Sequence, residues 1–166
     1  MRLFPLLTLS ALLFIGCGSD GGGSAASTSH EKVAKPAKLQ PVKQARPRTG
    51  IRVKAVSSQY GKVLADRRGQ AFYLFGKEKS RRARCYGACA TAWPPVITRG
   101  EPRAGPGARQ RLLGTTRRRD GRLQLTYAGQ PMYYYESDAP GRILCQNVTE
   151  FGGPWLVVRP NGRAVS

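Results

Sequence analysis

The chain has 166 residues, with 28 Lys and Arg against 9 Asp and Glu, which gives a formal net charge of +19 at pH 7. This length supports one modest domain with a flanking tail, and the charge favours anionic partners such as phospholipid headgroups, phosphate-bearing wall polymers or nucleic acid. The one histidine, His30, lies outside any predicted strand or helix, which removes the usual base of a hydrolytic triad and the usual fourth ligand of a Cys3His zinc site.

The N-terminus predicts an export signal. Arg2 precedes an apolar run over residues 3–15 that is interrupted by Pro5 and is shorter than the roughly 20 residues of a bilayer span. We therefore predict that residues 1–16 are a signal peptide, with an uncleaved anchor as an alternative. Cys17 resembles the lipobox cysteine of bacterial lipoproteins, and that resemblance implies a lipid-anchored, extracytoplasmic protein rather than a simply secreted one.

Residues 17–49 predict a disordered basic tether. The segment is rich in Gly and Ser up to Ser29 and then in Lys and Pro, with almost no large apolar side chain to offset the entropy of ordering. The lysines are interpreted either as a second membrane anchor on an anionic leaflet or as solubilising charges.

Residues 50–166 predict an all-β domain with one short helical turn, because Gly and Pro break the apolar runs every eight to twelve residues. The Asp120-Gly121 pair predicts a tight hairpin turn. The helical turn covers Tyr86 to Trp93 and ends at Pro94. The predicted strands are Ile51–Val56, Lys62–Ala65, Ala71–Phe75, Leu112–Thr116, Leu123–Tyr127, Met132–Tyr135 and Trp155–Val158.

The domain repeats itself without a gap at an offset of 60 residues. The matched pairs include Gly61 with Gly121, Val63 with Leu123, Gly69 with Gly129, Tyr73 with Tyr133, Phe75 with Tyr135, Glu78 with Asp138 and Cys85 with Cys145. Such regularity indicates two copies of one β unit, over about 51–98 and about 111–162, packed about a pseudo-twofold axis as a small sandwich or barrel-like domain.

These motifs resemble a family of bacterial secreted-repeat lipoproteins that carry Tyr-x-(Phe/Trp/Tyr)-x-x-Asp. Residues 133–138 fit that motif in full, and residues 73–78 fit with Glu78 in place of Asp. Further marks are Cys85 to Cys89 leading into Trp93-Pro94-Pro95, Leu113-Gly114-Thr115-Thr116, and Gly152-Gly153-Pro154-Trp155. The resemblance implies an envelope lipoprotein whose biochemical role is not established.

The aromatic motif predicts a patch of two rings in each copy. Tyr73 and Phe75 point to one face of a strand, as do Tyr133 and Tyr135, while Phe72 points to the other face with its counterpart Met132. Core packing is one interpretation. The other is a surface on residues 133–135 that binds a ring, a sugar or a quinone.

The acidic positions Glu78 and Asp138 follow the aromatics where the strand should turn. A carboxylate there is expected to accept backbone N–H groups and fix the turn. A metal site or an acid/base pair would need a second carboxylate held close, and no spacing in the sequence provides one.

Three cysteines remain beyond Cys17 in an exported setting that permits disulfides, and one of them must be left without an intrachain partner. Cys85 and Cys89 can bond only if their segment is a turn, because an ideal helix holds them too far apart. Cys85 with Cys145 is the alternative. The resemblance favours the local pair, and an extracytoplasmic redox or metal-thiolate site using the three cysteines is the alternative function.

Two basic clusters in predicted loops are candidate anion-binding residues, since guanidinium groups bind phosphate bidentately. They comprise Arg81, Arg82, Arg84, Arg117, Arg118 and Arg119. No nucleic-acid, catalytic or cofactor motif accompanies them. The sequence therefore favours a non-catalytic binding or structural module of the envelope, without cofactor or metal, whose partner is the membrane, an anionic lipid or a wall polymer.

Overall fold

The computed structural model describes residues 49–166. Ten short strands carry the domain, with one α-helix and one 3-10 turn. They are β1 (Thr49–Ser58), β2 (Gly61–Ala65), β3 (Tyr73–Phe75), α1 (Ala88–Ala92), β4 (Ile97–Thr98), β5 (Glu101–Ala104), the 3-10 turn (Gln110–Leu112), β6 (Leu113–Arg117), β7 (Leu123–Tyr127), β8 (Gln130–Pro131), β9 (Val148–Glu150) and β10 (Gly153–Val157). The predicted all-β class with one short helical turn is confirmed.

The strands form three small sheets. Their orders are β2-β1-β5, β3-β10-β9 and β4-β7-β6, and over residues 49–166 none of them closes into a barrel. The short strand β8 pairs with the end of β7 that β4 leaves uncovered. All pairs are antiparallel except β1 with β5. The turn at Gly121, which has a φ of 80°, joins β6 to β7 as predicted.

The two repeats interlock through the strands that carry the aromatic motif. Tyr73 and Tyr133 form an antiparallel bridge in which each backbone N–H donates to the other carbonyl at 2.9 Å. On its other side, Tyr73 pairs with Val157 in β10, and Tyr133 pairs with Pro95. Each motif segment therefore lies at the centre, where it pairs with the other motif on one side and with a second segment of the other repeat on the opposite side.

Alternation along these central strands separates two hydrophobic clusters. Tyr73 and Tyr133 lie in one cluster, whereas their neighbours Phe72 and Met132 lie in the other. All four side chains are fully buried. The period of two read from the sequence is thus correct, and both faces of the motif strands are covered. Residues 49–166 contain both clusters and fall within one compact unit, so this segment has the packing required to fold alone.

Two predicted elements differ in the structure. Met132–Tyr135 is not a continuous strand, because Tyr133 makes only isolated bridges. The backbone N–H of Tyr134 donates to the Pro94 carbonyl and does not continue a strand ladder. The helix is limited to Ala88–Ala92, since Gly87 at its start has a φ of 58°. The short strands β4, β5, β8 and β9 were not predicted.

The alignment of the repeats without a gap is wrong over part of its length. The backbone carbonyl of Leu64 accepts from the Phe72 amide, and its own amide donates to the Val158 carbonyl. The backbone of Leu125 makes the same two hydrogen bonds, with the Met132 amide and the Val96 carbonyl. Leu64 is therefore equivalent to Leu125, an offset of 61. The first hairpin loop is one residue shorter than its counterpart, and the next turn is one residue longer, so the offset returns to 60 at Phe72 and Met132.

Candidate functional site

The tyrosines and carboxylates of the motif are exchanged between the repeats. The hydroxyl of Tyr73 donates to Asp138 Oδ2 at 2.6 Å, and that of Tyr133 donates to Glu78 Oε1 at 2.7 Å. Each carboxylate also accepts a hydrogen bond from a backbone amide six residues later in its own repeat, and this bond fixes the turn after the motif. The Arg84 amide donates to Glu78 at 2.6 Å, and the Leu144 amide, sixty residues later, donates to Asp138 at 2.9 Å.

Burial sets the electrostatics of these pairs. It raises the pKa of Glu78 and of Asp138 above their ordinary values, against the opposing effect of the hydrogen bonds. Burial and the neighbouring carboxylate likewise raise the pKa of each partner tyrosine, so both hydroxyls stay protonated donors. Each carboxylate is bonded to a tyrosine of the other repeat, and no hydrogen bond within residues 49–166 joins the two carboxylates to each other. The pairs hold the repeats in register.

Three of the four motif aromatics are core residues, namely Tyr73, Phe75 and Tyr133. Trp93 and Trp155 stack with centroids 4.1 Å apart, Phe75 stacks on the outer face of Trp155 at 4.2 Å, and Tyr133 meets Trp155 edge to face. Tyr135 is partly buried against Trp93. Tyr133 has no exposed surface, so the expected ring site on residues 133–135 does not include it. Tyr134 and Tyr135 are only partly buried, and for them the ring site stays a prediction.

The disulfide joins Cys85 to Cys89, with their Cα atoms 5.3 Å apart. Cys85 precedes α1 and only Cys89 lies within it, which removes the helical geometry that would have kept the thiols apart. Among the described cysteines, Cys145 is free and partly buried. It lies beside Tyr135, whose pKa is raised by a hydrogen bond with Cys145.

The two predicted basic clusters meet on one side of the domain through Arg118. This side chain is 3% exposed and donates to the Cys85 carbonyl at 2.8 Å and to Gln124 Oε1 at 2.6 Å. It is a structural residue, unlike the exposed group expected. Its Nε lacks a hydrogen-bond partner, as does Glu78 Oε2. Arg118 also lies over the ring of Tyr86 at 4.3 Å.

Arg118 and Tyr86 thereby place the exposed arginines around two adjoining hollows. The first basic hollow, about 420 Å³, is lined by Phe75, Lys77, Arg82, Ala83, Arg84, Cys89, Arg119 and Phe151. The second, about 390 Å³, is lined by Arg82, Ala83, Tyr86, Arg117, Arg118 and Arg119. Arg82, Ala83 and Arg119 line both, so the hollows share a wall. Arg81 is exposed and lines neither.

Sequence reasoning missed Phe151 and Lys77 at the first hollow. Phe151 is 45% exposed and lies at the tip of the β9–β10 hairpin, where Glu150 pairs with Gly153 across a turn of two residues. The Lys77 ammonium donates to the Phe151 carbonyl at 3.3 Å. A large apolar residue before Gly152 between two strand segments was the available signal, because that turn normally takes Asn or Gly.

Other predicted features are not located by the structure. Cys17, the signal peptide and the tether up to residue 48 lie outside the described residues. The predicted end of the tether is one residue too late, because Thr49 already begins β1. Within residues 49–166, no helix is long and apolar enough to cross a membrane, and no group of three His, Cys, Asp or Glu side chains could hold a metal ion.

Comparison with known protein families matches residues 54–97 and 114–159 to a family described as a secreted repeat of unknown function. The two matches correspond to the two interlocked repeats and cover more than half of the chain. No curated protein and no solved structure matches the chain. The description places the protein outside the cytoplasm without establishing its biochemical role. The resemblance seen in the motifs is confirmed, and the chain belongs to this family of secreted repeats.

Proposed function

We propose that the domain is a non-catalytic binding module of the cell envelope that holds phosphate-bearing anions in its two basic hollows. The observation that carries this proposal is the convergence of Arg82, Arg84, Arg117 and Arg119 with Lys77. These side chains are exposed, yet they come from two segments of the chain separated by more than thirty residues. Guanidinium groups bind phosphate in a bidentate manner.

The charge around the hollows is poorly compensated. Two exposed acids lie near the hollows, and both carboxylates are engaged. Arg122 binds Asp120 at 2.7 Å, which holds the pKa of Asp120 below its ordinary value, and Glu150, next to Phe151, accepts from Trp93 Nε1 at 2.8 Å. Arg118 is buried among backbone and amide acceptors and supports the wall between the hollows. An anion that enters therefore meets donors that are not already neutralised. The partner can be a lipid headgroup or a phosphate-bearing wall polymer, because both present the same chemistry.

This proposal is tested with the fragment 49–166, inorganic polyphosphate, and vesicles of phosphatidylglycerol or phosphatidylcholine. We expect binding to polyphosphate and to phosphatidylglycerol, with an affinity that falls steeply as salt rises. Replacing Arg82 and Arg119 by Gln should weaken binding more than the same replacement of Arg52 and Arg103, which are paired on β1 and β5. Equal losses in the two double variants, or binding independent of salt, would contradict the proposal.

A second candidate is thiol–disulfide exchange, favoured by the position of Cys89 in the first hollow. An external dithiol would reduce the Cys85–Cys89 bond to two thiols and become oxidised itself, and the surrounding cations would stabilise a thiolate on Cys89. Reduction of native fragment by a dithiol at a rate similar to that of the unfolded fragment would support this role. Resistance until unfolding would make the bond purely structural.

The location of the module at the outer face of a membrane, through a lipid on Cys17, is part of the same proposal. It depends on the export signal and the cysteine that follows it in the sequence. Intact-mass spectrometry of the native protein tests this point directly, because a diacylglyceryl group would add to the mass of a chain beginning at Cys17. An unmodified mature chain would contradict lipid anchoring while leaving anion binding to be judged separately.

A further inference from the structure

We propose that the first basic hollow and Phe151 together form a docking face for an anionic phospholipid surface. The Phe151 ring enters the apolar layer, and Lys77, Arg82, Arg84 and Arg119 contact the lipid phosphates. This inference rests on the proposed anion binding and names one of its two sources as the partner.

The first observation is the conformation of Phe151. Its φ is 53° and that of Gly152 is 82°, so both central residues of the hairpin turn have positive φ. Turns of this kind favour Asn-Gly, and a bulky residue in the left-handed region is strained. Phe151 combines that strain with an exposed ring, a pairing that folding alone does not explain and that often marks a functional position.

The second observation is the support beneath the hairpin. Glu150, the residue before Phe151, accepts from Trp93 Nε1 through its carboxylate at 2.8 Å and from Trp155 Nε1 through its backbone carbonyl at 3.2 Å. These two tryptophans form the central stack of the core. On the other side, Lys77 donates to the Phe151 carbonyl. The core therefore fixes the turn, and the ring is presented outward beside the hollow.

The third observation is the chemistry of the hollow. Within residues 49–166, no carboxylate, amide or hydroxyl side chain lines it, so its polar side chains are donors only. A sugar needs acceptors as well as donors for its hydroxyl groups, whereas a phosphate diester only accepts. One exposed ring beside four cations matches the interface of an anionic bilayer, where charge lies directly above an apolar layer.

The experiment measures binding of fragment 49–166 to phosphatidylglycerol vesicles by sedimentation, together with its thermal unfolding. Phe151→Asn removes the ring but suits the turn, so we expect about tenfold weaker binding, the effect of withdrawing a half-exposed ring from an apolar layer. The melting temperature should stay the same or rise. Leu144→Asn is the matched control, because Leu144 is 44% exposed and lines neither hollow, and it should bind like wild type.

Phe151→Leu separates insertion from ring stacking. An aliphatic side chain still enters an apolar layer, so this variant should bind vesicles within about threefold of wild type. If it binds as weakly as Phe151→Asn, the ring stacks on a ligand and the membrane inference is wrong. Unchanged binding of Phe151→Asn would also overturn it while leaving anion binding intact. If the wild type binds neither the vesicles nor polyphosphate, the proposed function itself is overturned.

Discussion

The exchanged hydrogen bonds between the repeats give the sharpest stability prediction. Tyr73→Phe removes the hydroxyl that donates to the buried Asp138 carboxylate at 2.6 Å, and Tyr133→Phe does the same at Glu78. Each change leaves the aromatic packing in place and deprives a carboxylate of one of its two donors. We therefore expect both substitutions to weaken the contact between the repeats.

The magnitude follows from the charge of the acceptor. A hydrogen bond to a charged group contributes about 1.5–3 kcal/mol, and the buried carboxylate keeps only its backbone donor after the change. For a domain of this size, each substitution should lower the melting temperature by about 5–10 °C. The effect at Tyr73 and at Tyr133 should be similar, because the two environments are related by the repeat.

The assay is urea unfolding of fragment 49–166, with Tyr60→Phe as control. Among the hydrogen bonds of the described residues, none involves the Tyr60 hydroxyl, although its ring packs on the same cluster. The control should change the free energy of unfolding by less than about 0.5 kcal/mol, with the urea dependence unchanged in all variants. Stabilities of Tyr73→Phe and Tyr133→Phe that match the control would refute the structural role assigned to the exchange.

Three further outcomes are expected of the same fragment. Burial raises the pKa of Glu78, so its carboxyl group binds a proton more tightly in the folded state than in the unfolded state. Protonation of Glu78 therefore stabilises the fold below the ordinary pKa of a glutamate, and this contribution is lost as the pH rises through the pKa of the folded state. The stability of wild type relative to Glu78→Gln should thus increase from pH 7 towards pH 4 in urea unfolding, and a decrease would contradict the assignment. Arg118→Gln should destabilise by about 2–4 kcal/mol in thermal unfolding through loss of two buried hydrogen bonds, whereas the exposed Arg117→Gln should change stability by less than about 0.5 kcal/mol. Thiol titration in denaturant should find Cys145 alone before reduction and two more thiols after it; three thiols before reduction would rule out the disulfide.

The sequence was most informative where side chains alternate. Tyr73 and Phe72 fall into different clusters as the period of two predicts, and the repeated motif correctly indicates two related units. The turn function of Glu78 and Asp138 was also predicted from their position after the aromatics. Their exchange of tyrosine partners was not, because a repeat pattern does not reveal which copy supplies each donor.

The candidate site was harder to read for a physical reason. The two arginine runs meet because Arg118 reaches the Cys85 carbonyl across 33 positions of the chain and lies over the ring of Tyr86, and no local pattern encodes these contacts. The same contacts bury one arginine and leave its neighbours exposed. Phe151 was missed since an isolated apolar residue gives no periodic signal, and its exposure follows from the two-residue turn that carries it.

Hydrogen exchange of fragment 49–166 with and without phosphatidylglycerol vesicles tests most directly whether the basic hollows are the binding surface. Amides in residues 82–86, 117–121 and 150–152 should exchange more slowly when vesicles are present, while those of the turn at Ala128 should be unaffected. Protection confined to other surfaces, in a protein that still binds the vesicles, would contradict the assignment of function to this face.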